Sequence, residues 1–185
     1  WSCSGAPSDC VALALLGFVK EKVDIVVSGI NPHGNLGQDL TYSGTVTAAM
    51  EAVISGVPGM AISTESGTPP KYESAGQAAA HIVQKIARAG FPSNLLLNVN
   101  VPAEYTGVRL TRQGRRVYRD ELVERRDPRG KPYYWIGGEM PSGVVEEGTD
   151  FWAIANGFVS VTPLQLDLTA YAVMPTLEKW LANES

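Results

Sequence analysis

The sequence predicts an α/β fold, a sandwich of helices around a mostly parallel sheet. Three short apolar runs, each of strand length, are separated by two segments with helical character. Strands that alternate with helices imply parallel pairing, and a parallel sheet is covered on both faces. A chain of 185 residues, of which 44% are apolar, is long enough to bury such a core.

The first helix is predicted over residues 8–20, with Ser8 or Asp9 as its cap. Its apolar run, VALALLGFV, has the length of a signal-peptide core. However, no basic segment precedes the run, an acidic residue lies directly before it, and Lys20-Glu21-Lys22 follows it. These flanks favour a buried amphipathic helix over a signal peptide.

The rest of the core alternates in the same way as far as Pro102. Gly56 and Gly90 follow the next two helical segments and are placed to end them. The predicted elements are a strand at 24–28, a helix at 43–55, a strand at 60–63, a loop at Gly67-Thr68-Pro69-Pro70, a helix at 74–88 and a strand at 94–101.

After Pro102 the pattern becomes β-rich. Two β-prone runs, 117–124 and 133–136, flank the turn sequence Asp-Pro-Arg-Gly and predict a long hairpin. Its aromatic side is large, so we expect either an arm that packs on a second subunit or a hairpin folded back on its own domain. The remaining elements are strands at 108–111 and 158–164 and a helix at 176–182 that packs through Trp180 and Leu181.

These elements divide the chain into four parts. We predict an α/β core (1–112), a β-hairpin arm for oligomerisation (113–140), a return to the core (141–169) and a C-terminal helix and tail (170–185). The aromatic residues of the arm are Tyr118, Tyr133, Tyr134 and Trp135.

Composition and charge exclude several classes of protein. The net charge of −4 argues against a general nucleic-acid binder, and no apolar run approaches the roughly 20 residues that span a bilayer. Cys3 and Cys10 have neither a disulfide framework nor a metal-binding spacing. We interpret them as reduced thiols, which fits a soluble, cytoplasmic protein without a membrane or a stable nucleic-acid partner.

The stretch from Val26 to Met50, VVSGINPHGNLGQDLTYSGTVTAAM, is the most informative part of the chain. In it Asn31 follows a buried strand, where an amide either faces a cleft or caps the turn through its own backbone. Spacing alone leaves both interpretations open. As a ligand, its carbonyl oxygen suits Mg²⁺, Mn²⁺ or Ca²⁺, but carboxylates must join it, and the nearby acidic residue is Asp39.

Ser43-Gly44-Thr45 opens the second predicted helix. The first N–H groups of a helix lack internal partners and carry a partial positive charge, and Gly44 lets an anion approach the backbone. An ordinary N-cap is the alternative interpretation. Glycines and asparagines in the preceding loop, Asn35 among them, favour a phosphate site, while no Walker loop or GxGxxG pattern is present.

Histidine and arginine chemistry is less clearly indicated. His33 lies in the same loop, as an acid, a base or a solvated residue, and His81 lies in an alanine-rich helix, where a structural role is expected. Neither histidine has a partner motif for a catalytic triad. Arginines alternate with acids in and near the arm and predict a solvated, salt-bridged surface, with an RNA or nucleotide contact as the alternative: Arg112, Arg115, Arg116, Arg119, Arg125 and Arg126.

Several blocks of the sequence together resemble a known family. In chain order they are GAPSDC, VSGINPHGNLGQDLTYSGTVTAAMEA, LLNVNVP, LTRQGRR, DPRGKPYYWIG and GTDFWAIANGFVSVTPLQLDLT. From Gly5 to about Thr169, they resemble the survival protein E family, the SurE-type 5′/3′-nucleotidases.

This resemblance implies a metal-dependent phosphohydrolase that releases phosphate from nucleoside monophosphates. It implies a Rossmann-like three-layer α/β/α sandwich and one divalent metal ion, Mg, Mn or Ca. By the family's motifs, Asn31 is the metal ligand, and Asn35 and Ser43-Gly44-Thr45 lie on the phosphate side. The hairpin arm and the C-terminal helix are the elements through which such proteins form homodimers or homotetramers.

The chain departs from the family pattern at one place. Family members open with a strand that ends in adjacent aspartates, followed later by a serine, and this sequence contains no Asp-Asp pair. We therefore expect that an N-terminal segment carrying the acidic catalytic residues is missing before Trp1, and that these 185 residues are inactive alone. A non-catalytic nucleotide- or phosphate-binding module and a structural assembly protein stay open as other classes.

Overall fold

The computed structural model describes residues 1–65, 69–92, 94–138 and 142–182. The strands are β1 (Val26–Asn31), β2 (Gly59–Thr64), β3 (Leu96–Val101), β4 (Gly107–Leu110), β5 (Arg116–Val117), β6 (Asp120–Arg126), β7 (Pro132–Gly138), β8 (Ser142–Gly143) and β9 (Phe158–Pro163). The helices are α1 (Pro7–Leu13), α2 (Gly44–Ile54), α3 (Tyr72–Ala89), α4 (Asp150–Ala155) and α5 (Met174–Ala182). A π-helical turn (Ala14–Phe18) follows α1, and a 3₁₀ helix (Gly37–Tyr42) precedes α2.

Five strands form the central sheet, in the order β1-β2-β3-β9-β4. β1, β2 and β3 are parallel, β4 is parallel to β9, and β3 and β9 are antiparallel. Because α2 and α3 join parallel neighbours, each returns the chain from the carboxyl edge of the sheet to its amino edge. The predicted mostly parallel α/β sheet is confirmed.

Helices α2 and α3 cover opposite faces of this sheet. Along β2, Met60 and Ile62 pack with α3, whereas Ala61 packs with α2. β3 alternates in the same way, with Val99 in the core beneath α3 and Leu96 in the core beneath α2. Both strands are buried along their whole length, as a sheet covered on two faces requires. The result is the three-layer sandwich that the family resemblance implied.

The start of the first helix differs from the prediction. Ala6 is the cap, and Pro7 opens the first turn, where its missing N–H costs nothing. Asp9 lies within that turn, and its Oδ2 accepts a hydrogen bond from Ala6 N at 2.8 Å. The prediction that Ser8 or Asp9 is the cap is therefore wrong, because Asp9 acts from inside the helix.

The burial and the end of the first helix also differ from the prediction. No residue of α1 is buried, because the helix packs against α2 and not against the sheet. Gly17, with φ at +119°, breaks the helical path, and the π-helical turn ends at Phe18, before Lys20. A buried helix over 8–20 is therefore replaced by a shorter, surface helix.

The other predicted elements are present, with bounds that shift by a few residues. Gly67 and Thr68 of the predicted loop lie outside the described residues. The sequence did not indicate α4, which Thr149 caps by accepting a hydrogen bond from Trp152 N. It also did not indicate the short pairing of β5 with β8. Among the described residues, no helix combines the length and the apolar character needed to cross a membrane.

The predicted hairpin is formed by β6 and β7, which pair from Asp120 with Gly138 to Arg126 with Pro132. The carboxylate of Asp127 closes the turn by accepting hydrogen bonds from the two backbone N–H groups of Arg129 and Lys131. The two strands form a sheet of their own, apart from the central one. Each strand is exposed at all but one position, so the hairpin projects from the core as an arm.

Two glycines in the core provide a matched test of the packing. A Cβ at Gly59, at the start of β2, would overlap the backbone carbonyl of Ala49 in α2, whereas a Cβ at Gly76 in α3 would meet only Ile30 Cδ1 at 4.0 Å. We expect Gly59→Ala to lower the free energy of unfolding by about 3 kcal/mol. Gly76→Ala should leave it unchanged or raise it by up to about 1 kcal/mol. Denaturant unfolding measures both, and equal stability of the two variants would contradict the close contact of α2 with β2.

Candidate functional site

An extra residue near the end of β1 sets the direction of Asn31. Ser28 pairs with Ala61 in β2, but Asn31 pairs with Ser63, so β1 gains one residue relative to its neighbour. Gly29 lies within this bulge with φ at +132°, and a Cβ there would overlap Ile62 O. A shift of one residue moves the following side chains to the other face of a sheet. The bulge therefore brings Asn31 beside Ser63 at the carboxyl end of the sheet.

The amide of Asn31 is oriented by its own loop. Its Nδ2 donates a hydrogen bond to the backbone carbonyl of His33 at 2.5 Å. Because the amide nitrogen is used in this bond, the carboxamide oxygen is the atom of this group with the chemistry of a metal ligand. The interpretation of Asn31 as a turn cap is thus realised. Its role as a ligand of a hard cation stays a prediction.

Asn35 is buried and is held by side chains of β2 and β3. The amide of Asn100 accepts from Asn35 N at 2.8 Å and donates to Asn35 O at 3.1 Å. Asn98 Nδ2 donates to the same carbonyl at 2.8 Å, and Asn35 Nδ2 donates to Ser63 Oγ at 2.7 Å. The side chain of Asn100 therefore pairs with the Asn35 backbone as a neighbouring strand would.

Ser43, Gly44 and Thr45 lie at the N-terminus of α2. Ser43 is the N-cap, and its Oγ accepts a hydrogen bond from Val46 N at 3.2 Å. A Cβ at Gly44 would lie 3.1 Å from Pro7 Cγ, so α1 approaches the backbone closely at this point. The first N–H groups of α2 have no partner within the helix and carry the positive end of its dipole. The N-cap interpretation is thus realised, and it leaves the helix start able to attract an anion.

The turn before α2 is hydrogen-bonded to the base of the arm, residues 113–118. Gln113 Nε2 donates to Gly37 O at 3.0 Å, and Arg116 N donates to Gln38 Oε1 at 2.7 Å. The Asp39 carboxylate accepts from Tyr118 Oη at 2.5 Å and pairs with Arg116 Nη2 at 2.9 Å. Asp39, which the sequence analysis named as the acidic residue near Asn31, is therefore bonded to residues of the arm.

The bond to Asp39 changes the titration of Tyr118. It raises the pKa of the phenol to about 12, because the neutral hydroxyl donates to a carboxylate that would repel the phenolate. Tyr118 is therefore a hydrogen-bond donor at neutral pH.

Asp150, the first residue of α4, is fully buried and joins three segments. Its carboxylate accepts hydrogen bonds from Gly37 N at 2.8 Å, Gly114 N at 2.9 Å and Phe151 N at 2.8 Å. Burial raises the pKa of Asp150 above its ordinary value, while these backbone donors act to lower it. Asp150 therefore ties the loop before α2, the base of the arm and α4 together.

The described residues do not contain a complete metal shell of histidine, cysteine or acidic side chains. Across 1–65, 69–92, 94–138 and 142–182, no group of three or more histidine, cysteine or acidic side chains is placed to hold a metal ion. What this part of the chain offers a cation is the carboxamide oxygen of Asn31, which is of the type that Mg²⁺, Mn²⁺ and Ca²⁺ accept. It fits as one ligand of such an ion.

The comparisons with known proteins agree with these features. The family model described as Survival protein SurE matches residues 1–120 of this chain. The chain belongs to the SurE family.

Two SurE relatives match almost the whole chain. The 5′-nucleotidase SurE of Chloroflexus aggregans is 50% identical over 184 residues, which cover 96% of this chain and 73% of that protein. The 5′-nucleotidase SurE of Syntrophotalea carbinolica is 51% identical over 180 residues, which cover 95% of this chain and 72% of that protein. The resemblance that the sequence blocks indicated is confirmed.

A solved SurE structure has the same fold. The crystal structure of the SurE protein from Aquifex aeolicus superposes with a TM-score of 0.81 at 42% identity. The match covers 97% of this chain and 74% of that one. The three-layer fold is therefore that of the SurE family.

Several residues that organise the SurE site here were not found from the sequence: Ser63, Asn98, Asn100 and Asp150. A signal for the two strand residues existed, because LLNVNV places asparagines at alternate positions of a strand otherwise expected to be apolar. Buried amides of this kind need partners. Asp150 gave no local signal, since two of its partners lie 113 and 36 residues away.

The side chains of His33, His81 and Arg112 take no part in the contacts described above. His33 contributes its backbone carbonyl. His81 lies exposed on α3, and the side chain of His33 lies in the exposed part of the loop. Arg112 pairs with Glu146 at 2.6 Å in a solvated ion pair, as the sequence predicted for the arginines in general. Arg116 differs, because its pair with Asp39 is largely buried.

Asp150 provides a test of the bonding that fixes the SurE loop. We expect Asp150→Asn to lower the free energy of unfolding by about 1–3 kcal/mol, because an amide NH₂ would face a backbone N–H that now donates to a carboxylate. As a control, Asp24→Asn removes a carboxylate from an exposed ion pair with Lys22 at 3.1 Å. That change should stay within about 0.5 kcal/mol. If denaturant unfolding gave the same small loss for both variants, the anchoring role of Asp150 would be refuted.

Proposed function

We propose that this chain forms the phosphate-binding part of a metal-dependent phosphohydrolase, which removes phosphate from nucleoside 5′- and 3′-monophosphates. The observation that carries the proposal is that one loop begins at an oriented Asn31 carboxamide and ends at the N-terminus of α2. Relatives that are 50% and 51% identical in sequence and are named 5′-nucleotidase SurE support the same reaction.

The residues of this chain would divide the work on the phosphate. The N–H groups at the start of α2, with the hydroxyls of Ser43 and Thr45, would hold the phosphoryl oxygens and stabilise the charge that develops on them. Gly44 has no side chain to place between this backbone and Pro7, which packs beside it. Asn35 would define the wall of the site, since its amide is bonded into the sheet through Ser63.

One divalent ion, Mg²⁺, Mn²⁺ or Ca²⁺, would be held by Asn31 together with carboxylates, which we expect from outside the described residues. When bound, such an ion supplies a Lewis acid for the phosphoryl group and lowers the pKa of an attacking water. Asn31 contributes a neutral oxygen whose direction is fixed by the His33 carbonyl. The cytoplasmic setting stays part of the proposal and fits two free cysteines.

The proposed reaction is favoured over the two other classes. A phosphate-binding module would need the same loop, and an assembly protein would need only the arm. The relatives that match over almost the whole chain, including the loop and the arm, are named as nucleotidases. This favours the hydrolase over both.

The role of Asn31 can be tested by substitution in the full-length protein. We expect Asn31→Ala to weaken Mn²⁺ affinity at least about tenfold and to abolish most Mn²⁺-dependent phosphate release from nucleoside monophosphates. Asn156→Ala is the control, because the Asn156 amide also donates to a backbone carbonyl, that of Trp152 at 2.8 Å, but at the end of α4. Colorimetric phosphate release with and without Mn²⁺ measures the effect. Unchanged turnover and metal affinity in Asn31→Ala would disprove the assignment.

The exposed apolar surface supports assembly of the chain into homodimers or homotetramers. On the arm, Leu122, Trp135 and Ile136 have 60–80% of their surface exposed. The helix α5 has no buried residue, although Trp180 and Leu181 lie on it. Apolar surface of this extent on a soluble chain marks a contact with another protein. The arm and α5 are accordingly proposed as the surfaces that bind a second copy.

The assembly proposal predicts a specific change in mass. Trp135→Glu places a charge on the exposed face of β7, so we expect light scattering to show a smaller species than the wild-type protein forms. Ile54→Glu is the control, because Ile54 is also exposed but lies at the end of α2, away from the arm and α5. The Ile54 variant should keep the wild-type mass. A Trp135 variant of unchanged mass would argue against the arm as the contact.

A further inference from the structure

Three consecutive residues of the loop, Gly37, Gln38 and Asp39, are all bonded to the base of the arm or to α4. Only three residues then separate Asp39 from Ser43, the cap of α2. They belong to the 3₁₀ helix Gly37–Tyr42, whose Leu40 is buried in the core with α2. Asp39 and the N-terminus of α2 are therefore joined by a short, ordered segment.

The contact at Asp39 is less exposed to solvent than an ordinary surface ion pair. The side chains of Arg116 and Asp39 are 16% and 22% exposed. Partial burial weakens the screening by water, and the Tyr118 hydroxyl adds a second, charge-assisted hydrogen bond to the same carboxylate. The Arg116 guanidinium also lies over the ring of Phe151 in α4, 5.6 Å from its centroid.

We propose that Arg116 and Tyr118 are positioning residues for the phosphate site, because they hold Asp39 and through it the turn that leads into Ser43, Gly44 and Thr45. This inference rests on the proposed function. It assigns to the base of the arm a role in phosphate binding that is separate from the proposed role of the arm in assembly.

The metal side of the site should not depend on this contact. Asn35 lies between Asn31 and the turn, and it is fixed independently by Asn98, Asn100 and Ser63. The bulge of β1 sets the direction of Asn31 before the chain reaches Asn35. Loss of the Asp39 contact should therefore affect phosphate affinity and leave metal affinity unchanged.

The test uses the full-length protein with Tyr118→Phe, Asp39→Asn and the double variant. Inorganic phosphate, as an inhibitor of nucleotide hydrolysis, reports on the phosphate side, and Mn²⁺ binding reports on the metal side. We expect each single variant to weaken inhibition by phosphate about three- to tenfold, as the loss of one such hydrogen bond implies. Since both substitutions break the same contact, the double variant should lose less than the product of the two single losses. Mn²⁺ affinity should stay at the wild-type value.

Tyr171→Phe is the matched control, because Tyr171 also donates to an aspartate carboxylate, that of Asp167, on the C-terminal segment. It should leave phosphate inhibition unchanged. Thermal unfolding of each variant verifies the fold, and Tyr118→Phe keeps the ring and loses only the hydroxyl.

Three outcomes would overturn the inference: unchanged phosphate inhibition in Tyr118→Phe and Asp39→Asn, a parallel loss of Mn²⁺ affinity, or an equal loss in Tyr171→Phe. Failure of the proposed function would appear differently. In that case the wild-type protein itself would release no phosphate from nucleoside monophosphates, before any variant is compared.

Discussion

The site depends on the two hydrogen bonds that the side-chain amide of Asn100 makes with the backbone N–H and C=O of Asn35. Asn98 and Asn100 lie on a strand that is buried along its whole length, where an unpaired amide would cost several kcal/mol. Both amides donate to the Asn35 carbonyl, and Asn100 also accepts from the Asn35 N–H. The long connection from β1 to α2 thus gains the kind of partner that a neighbouring strand would give it.

This arrangement has a cost that the chain retains. The Oδ1 of Asn98 is buried and has no hydrogen-bond partner within the described part of the chain. Valine or leucine at this position would remove that cost, but it would also remove a donor from the Asn35 carbonyl. The hydrogen bonds that fix the loop, and with it the position of Asn31 relative to α2, are therefore made at a cost to the stability of the core.

The parts of the fold that the sequence predicted are those with local causes. Helix α2, for example, follows from an N-cap serine and a glycine just after its end, and β2 and β3 follow from short apolar runs. Contacts between distant segments were not predictable in this way. The bulge at Gly29 depends on the neighbouring strand, and α4 has a short sequence whose first residue is fixed by Gly37 and Gly114. The prediction of the α1 cap was wrong because an aspartate in the first turn can accept the same kind of backbone hydrogen bond as one at the cap position.

The start of α4 explains why glycines recur in three distant segments. A Cβ at Gly37, in the loop, would lie 2.9 Å from the Phe151 ring, and a Cβ at Gly114 would lie 2.5 Å from Asp150 Oδ1. A Cβ at Gly143, in β8, would overlap the same ring. The loop, the base of the arm and the return segment therefore approach one short helix as closely as bare backbone allows. Asp150 also accepts hydrogen bonds from the first two, so the three segments meet at the start of α4. The arm is for this reason continuous with the site at its base, although its strands project away from the core.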